Sequence, residues 1–256
     1  MASRKEIASR ALGLIDLTNL NDDCTPEAID ALCAQAVTSF GDTAAICIWP
    51  RFVAQARKIL GPDSAVKIAT VVNFPSGDGG ERDVLHETKD AIADGSDEID
   101  LVMPYRALAA GDTETARSMI ATIRAATEGV ARLKVIIEAG ELGDPALIEA
   151  ASQMALEEGA DFIKTSTGKV AVNATPETAR IMLTVLKTFG DPTRGFKPAG
   201  GIRTVEEAGQ YLALADEIMG KDWVSPKTFR FGASSLLGNV LATLSGDTPA
   251  EPASGY

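Results

Sequence analysis

The sequence predicts a single-domain (β/α)8 barrel. Three observations carry that expectation. Eight short β-rich runs alternate with amphipathic helical stretches, the runs recur roughly every 22 to 36 residues, and 256 residues suit one closed barrel. The rival is an open doubly wound sheet. It calls for a glycine-rich turn after the first strand, and Asp16-Leu17-Thr18-Asn19 has none.

In chain order, a strand at 14–17 leads to a helix at 26–40, entered through Thr25 and Pro26. The hydroxyl suits an N-cap, and the proline suits the first helical position. Strands at 45–49, 66–72 and 98–103 are each followed by a helix, at 51–60, 81–94 and 112–127. The strand at 133–138 precedes a helix at 145–158, and the strand at 161–165 precedes one at 176–189 that starts on Thr175-Pro176. The strand at 195–199 feeds a helix at 205–219, with Thr204 as N-cap and Glu206 and Glu207 in its first turn. A last strand, 230–233, leads into a helix at 234–243. Residues 1–245 are expected to form the barrel. The stretch 246–256, rich in Pro, Ala, Ser and Gly, reads as a frayed tail.

Composition narrows the function. Hydrophobic residues at 45% and charged residues at 23% give a chain able to build a core. A net charge of −12 argues against nucleic acid or an anionic membrane as partner, although a local basic cluster can still hold a small anion. Cys24, Cys33 and Cys47 are odd in number and form no CxxC pair, so they read as reduced thiols in a cytoplasmic protein. The first ten residues lack an apolar signal region, and no apolar run of about 18 residues occurs. His86 is the single histidine. A histidine triad or multi-histidine metal site is therefore not expected, and neither metal nor cofactor is called for. Oligomeric state is not legible, a homodimer being one option.

The chemistry should sit where charges interrupt apolar strands. Asp16, Asp100, Glu138, Lys164 and Lys197 fall at or near the carboxyl ends of strands, the face that carries active sites in such barrels. Buried salt bridges closing the barrel mouth are the plain alternative. Lys164 and Lys197 belong to neighbouring strands, which would bring two cations together. A free lysine has a pKa near about 10.4, so a nucleophilic amine at neutral pH needs a neighbouring cation and an apolar setting. An amine so prepared attacks a carbonyl, and the protonated imine becomes an electron sink. Asp100 is the natural proton shuttle, and Lys197 tunes its neighbour and donates protons. Phosphate would suit the loops after strands seven and eight, where Gly200-Gly201 and Gly232-Ala233-Ser234-Ser235 occur. Gly168-Lys169 adds a charge, and Arg203 either adds another or caps the rim. His86 reads as solvated, and Met103 and Phe162 as packing.

Several long motifs resemble those of the 2-deoxyribose-5-phosphate aldolases. They include Asp161-Phe-Ile-Lys-Thr-Ser-Thr-Gly-Lys169, Gly195-Phe-Lys-Pro-Ala-Gly-Gly-Ile-Arg203 and Asp97-Glu-Ile-Asp-Leu-Val-Met-Pro-Tyr-Arg106. Lys134-Val-Ile-Ile-Glu138, Arg230-Phe-Gly-Ala-Ser-Ser235, Asp16-Leu-Thr-Asn-Leu20 and Cys47-Ile-Trp-Pro-Arg51 fit in the same order. The resemblance implies a metal-independent class I aldolase. Such an enzyme reversibly cleaves 2-deoxy-D-ribose 5-phosphate to acetaldehyde and D-glyceraldehyde 3-phosphate in deoxynucleoside breakdown. It further implies Lys164 as the imine lysine, Lys197 as the tuning cation and Asp100 as the carboxylate organising proton transfer. Asp16 and Thr18 would line the site. Thr167 and Cys47 are further candidates beside the substrate, although Cys47 at the end of the second strand reads first as a core thiol. Gly168, Lys169, Gly201, Ser234 and Ser235, with Arg203 nearby, would hold phosphate. Some members end in a tyrosine that folds over the site, which raises the same possibility for Tyr256. Another imine-forming aldolase, a metal-free phosphosugar isomerase and a non-catalytic phosphosugar sensor remain the alternatives.

Overall fold

The computed structural model describes residues 2–248. Eight parallel strands lie side by side in chain order: β1 (Ile15–Asn19), β2 (Ala45–Ile48), β3 (Lys67–Val72), β4 (Glu98–Val102), β5 (Arg132–Ile136), β6 (Phe162–Lys164), β7 (Gly195–Lys197) and β8 (Phe231–Ala233). β8 pairs with β1. β7 meets β8 through parallel bridges at Phe196–Phe229 and Ala199–Gly232, where the Gly232 N–H donates to the Pro198 carbonyl at 2.9 Å. The ring of strands is thereby closed. Each expected strand is present, within a few residues at its ends.

Helices α2 (Pro26–Gln35), α3 (Val53–Leu60), α4 (Glu81–Ala93), α6 (Thr113–Thr127), α8 (Pro145–Glu157), α9 (Pro176–Phe189), α10 (Val205–Met219) and α11 (Leu236–Ser245) follow successive strands. The expected caps form at Thr25, Thr175 and Thr204, each hydroxyl accepting from a backbone N–H three residues on. Three helices were not foreseen. α1 (Arg4–Leu12), opened by a capping box between Ser3 and Glu6, packs against α10 and α11, with Arg10 Nη1 2.6 Å from Asp216 Oδ2. α5 (Tyr105–Ala109) and α7 (Ala139–Leu142) are too short to show a helical period. The helix expected over 26–40 is corrected: it stops at Gln35, and Val37–Thr38 pairs with Gly41–Asp42 as a small hairpin. Thr38 Oγ1 donates to the Gly41 carbonyl at 2.6 Å, and Gly41 takes φ of 123°, a conformation that favours glycine.

Alternation along each strand separates two environments. Leu17, Ile46, Ile68, Ile99, Leu101, Leu133, Val135, Ile163, Phe196 and Phe231 join the apolar layer shared with the helices. Cys47, Ala69 and Val71 form a small separate cluster with Leu20. The opposite faces of β1 and β4–β7 carry the charged residues. Among the described residues no helix is long and apolar enough to cross a membrane. Of the expected tail 246–256, residues 249–256, Tyr256 among them, lie outside the described residues.

Candidate active site

Period two sets the site. Asp16 and Thr18 share one face of β1, and Glu98 and Asp100 share one face of β4. Arg132 and Lys134 on β5 stand directly beside Glu98 and Asp100 in register, so acids meet bases across the strand pair. Lys164 on β6 and Lys197 on β7 are register partners, which puts both lysines at one height.

Asp100 is the hub. Its Oδ2 accepts from Lys164 Nζ and from Lys197 Nζ, each at 2.8 Å, and its Oδ1 accepts from Lys134 Nζ at 2.8 Å. Lys197 Nζ also donates to Asp16 Oδ2 at 2.6 Å, while Asp16 Oδ1 takes Arg230 Nη1 at 2.6 Å. Glu98 receives Arg230 Nη2 on Oε1 at 2.9 Å and lies 2.6 Å from Lys134 Nζ through Oε2. All seven side chains are buried.

Four buried cations thus share three carboxylates, with the part-exposed Arg132 a fifth, 3.8 Å from Glu98 at the edge. Lys197 and Arg230 each touch two acids and Lys134 touches three, Asp16 at 3.5 Å being the third; these cations balance the acids in number, whereas Lys164 touches Asp100 alone. Burial lowers the Lys164 pKa; Asp100 opposes that effect, and the Lys197 charge reinforces it. For Lys197 burial also works against the charge, but Asp100 and Asp16 outweigh it and hold its pKa well above the ordinary range. Lys134 is raised in the same way, by Asp100 and Glu98 against burial. Burial alone would raise Asp100; Lys134, Lys164 and Lys197 reverse this and keep it ionised well below the usual carboxylate range. The arrangement therefore holds one amine ready to be neutral beside one fixed ammonium.

Other expected residues distribute around this centre. Thr18 donates its hydroxyl to the Asp16 carbonyl at 2.8 Å. Cys47 is fully buried beside Ala69 and Val71, and burial raises its thiol pKa. Glu138 takes φ of 51°, unusual for a residue with a Cβ, and its carboxylate accepts the Thr167 N–H at 3.1 Å and hydroxyl at 2.6 Å. Burial raises the Glu138 pKa, the Thr167 bonds opposing it. His86 is exposed beside Asp90, and Met103 and Phe162 are buried packing residues.

The three loops proposed for phosphate lie side by side. The Gly200 N–H donates to the Gly232 carbonyl at 3.2 Å, joining the loop after β7 to strand β8 just ahead of its own loop. The Ala174 N–H donates to the Ala199 carbonyl at 3.2 Å, joining the loops after β6 and β7. Gly168, Gly200 and Gly201 have φ of 86°, 82° and 81°, so their backbone turns in ways other residues rarely follow. Ser235 occupies the N-cap position of α11 after Ser234, and the helix's first N–H groups face the same end of the barrel. Lys169 Nζ lies 3.5 Å from Asp22 at the rim, and the Arg203 N–H donates to Glu207 Oε2 at 2.7 Å.

Lys134, Glu98 and Arg230 were given no role from sequence. A signal was present for two of them: Lys134 and Arg230 are charges flanked by apolar residues, in Leu133-Lys134-Val135 and Phe229-Arg230-Phe231, whereas Glu98 follows Asp97 and has an apolar neighbour only in Ile99. Glu98 and Arg230 lie at the amino ends of their strands, away from where sequence reasoning looks for function, while Lys134 stands level with Asp100.

A profile of the DeoC/LacD family aldolases matches residues 10–239. A protein of Agrobacterium fabrum named deoxyribose-phosphate aldolase is 59% identical over 252 residues, covering 98% of this chain and 97% of that protein. A crystal structure from Coccidioides immitis, provisionally called a deoxyribose-phosphate aldolase, superposes with a TM-score of 0.81 at 31% identity, covering 93% of this chain and 87% of that one. The deoxyribose phosphate aldolase of Aeropyrum pernix, described as a unique tetramer, gives a TM-score of 0.73 at 26% identity over 96% of this chain and 94% of that one.

Proposed function

The chain belongs to the DeoC/LacD family of aldolases, and from that premise we propose that it is a deoxyribose-phosphate aldolase working through an imine on Lys164. It is a class I lyase that reversibly cleaves 2-deoxy-D-ribose 5-phosphate to acetaldehyde and D-glyceraldehyde 3-phosphate. One observation carries the mechanism: Lys164 and Lys197 present their nitrogens to the same oxygen of Asp100, at 2.8 Å each.

The neutral Lys164 amine adds to the C1 aldehyde of the open-chain sugar, and water leaves to give a protonated imine. The C3 hydroxyl then loses its proton, the C2–C3 bond breaks and its electron pair flows toward the iminium nitrogen. Glyceraldehyde 3-phosphate departs. The enamine takes a proton at C2, and hydrolysis frees acetaldehyde and the lysine. The iminium has no carboxylate of its own, since Lys134, Lys197 and Arg230 already balance Asp16, Glu98 and Asp100. An undercompensated buried cation draws electrons strongly. Asp100 is too acidic to hold a proton, so it serves as the fixed acceptor past which protons move between Lys197, water and substrate.

Thr18, Thr167 and the Cys47 cluster line the reacting end, with Asp16 holding Lys197 in place. Gly168, Lys169, Gly201, Arg203, Ser234 and Ser235 face the phosphate. Residues 1–245 act as one catalytic domain, and Tyr256 at the end of the tail is assigned to covering the bound sugar. The three free thiols fit a cytosolic setting. A homodimer and the tetramer described for the Aeropyrum relative are the assemblies that sedimentation would separate.

The test is chemical trapping. Acetaldehyde with borohydride should leave a two-carbon adduct on Lys164, located by peptide mass spectrometry. Lys164→Ala should lose both adduct and turnover, whereas Lys197→Leu should still trap but only at higher pH. Undiminished turnover in Lys164→Ala removes the mechanism. Labelling only by a larger keto donor would instead favour a sister aldolase.

A further inference from the structure

We propose that Glu98 and Arg230, placed beneath the reacting amine and out of reach of substrate, are positioning residues that set the pH at which Lys164 becomes a nucleophile. The inference rests on Lys164 being the imine lysine.

The contacts form a closed circuit. Asp100 binds Lys134, Lys134 binds Glu98, Glu98 binds Arg230, Arg230 binds Asp16, Asp16 binds Lys197, and Lys197 returns to Asp100, with no link longer than 2.9 Å. Six charges alternate in sign around this ring, so it is neutral by itself. Lys164 hangs from it at Asp100. Adding or removing one charge in the ring therefore leaves an imbalance that Lys164, joined to it through a single acid, is placed to answer by taking up or giving away a proton.

Glu98 and Arg230 are the members farthest from the substrate end. Glu98 opens β4, and Arg230 directly precedes β8, held by its Nε donating to the Pro226 carbonyl at 2.5 Å. Both line a cavity of about 760 Å³ at the opposite mouth of the barrel, with Lys67, Lys227 and Arg132. Arg132 Nη1 stands 3.8 Å from Glu98, and its side chain is 30% exposed.

Stability does not explain the ring. Barrel interiors are ordinarily filled by Val, Ile and Leu, and well-packed apolar side chains commonly replace a buried ion network with no loss. A charge-setting role does require these residue types. The groups bearing on Lys164 are Asp100 from β4, Lys197 from β7, Cys47 from β2 and Glu138 after β5, with Lys134 from β5 and Asp16 from β1 one contact further out, on Asp100 and Lys197. Lys197 and Lys134 disfavour its charge; Asp100, Asp16, Glu138 and any thiolate at Cys47 favour it. Glu98 and Arg230 fix how much of Lys134 and Asp16 is left to act. A unit charge roughly 8 Å away at an effective dielectric near 20 moves a pKa by about one to two units.

The experiment is the pH dependence of borohydride trapping by acetaldehyde on the full chain, with the adduct quantified at Lys164 from about pH 5 to 10. Arg230→Gln leaves the ring one negative charge in excess, so the trapping midpoint should rise by about one pH unit. Arg230→Lys keeps the charge and should restore the original midpoint. Glu98→Gln leaves an excess positive charge, and the midpoint should fall by about one unit. A purely structural role would lower trapping at every pH with the midpoint unmoved, and that result in folded variants overturns the proposal, as do shifts of equal sign. Should the Arg230 and Glu98 variants not fold, Arg132→Gln at the half-exposed edge decides: a smaller upward shift supports the proposal, and an unmoved midpoint overturns it. Absence of any Lys164 adduct in the unaltered protein would instead overturn the imine mechanism.

Discussion

At the scale of single residues, the lysine site depends on what is missing as much as on what is present. Gly232 sits beside the Lys197 stem on the neighbouring strand. A Cβ there would come 2.7 Å from Ala199 Cβ and 3.1 Å from Lys197 Cε. The first neighbour cannot give way without moving the β7 end. Gly232→Ala should therefore cost about 1–3 kcal/mol of stability, measured by urea unfolding, and should also displace Lys197 and cut kcat. A variant of wild-type activity and stability would mean that the strand end adjusts freely. Glu138 is the comparable case at the rim. Its left-handed backbone turns the carboxylate onto Thr167, so a buried acid orients a proposed substrate-binding residue. Asp16, Asp100, Lys164 and Lys197 were legible in sequence because a charge inside an apolar strand is costly and so demands a partner. Which partner each one takes was not legible, because strand order and register are needed to know it.

At the scale of elements, helix starts do the positioning. Thr204 accepts the Glu207 N–H, and Glu207 in turn accepts the Thr204 N–H at 2.9 Å and the Arg203 N–H at 2.7 Å. This box anchors the loop that carries Gly201 and Arg203. Thr204→Ala should lower stability by about 1 kcal/mol in thermal or urea unfolding. It should also raise KM for the phosphorylated sugar more than it lowers kcat, since the lysines proposed for the chemistry lie one layer deeper. Equal effects on both constants would detach this loop from phosphate binding. Caps of this kind were readable because they are local: Thr25, Thr175 and Thr204 act on backbone three residues away. The hairpin inside the expected 26–40 helix was not readable, because apolar spacing continues across Val37 while the backbone turns at Gly41.

At the scale of the whole molecule, the buried ring ties stability to pH. Asp16, Glu98 and Asp100 have folded pKa values below their unfolded ones: burial alone would raise all three, and the adjacent cations, chiefly Lys197 for Asp16 and Lys134 for the other two, outweigh it. Groups depressed in this way contribute stability above the unfolded value, near about 4, and lose it as pH falls through the folded value. Urea unfolding should thus give a stability that declines below about pH 4 to 5, and more steeply than in a variant whose ring acids and bases are replaced together by apolar residues. Lys134 and Lys197 are raised, so their contribution is present below the unfolded lysine value and is lost as strongly alkaline pH passes their folded values. Parallel acid profiles for the two proteins would show that the ring does not govern acid unfolding.

The order of the strands, the helices that follow them and the lysine pair on neighbouring strands were readable in the one-dimensional pattern, whereas α1, α5, α7 and the hairpin after α2 were not. Periodicity, capping and the cost of buried charge act over a few residues and leave their mark in the chain. Barrel closure alone decided that Arg230 should meet Glu98, 132 positions away, and Asp16, 214 positions away. Such pairings across the interior follow from how the closed sheet staggers and tilts its strands, a property no local segment encodes. That stagger joins six charges in one circuit and leaves a single amine over.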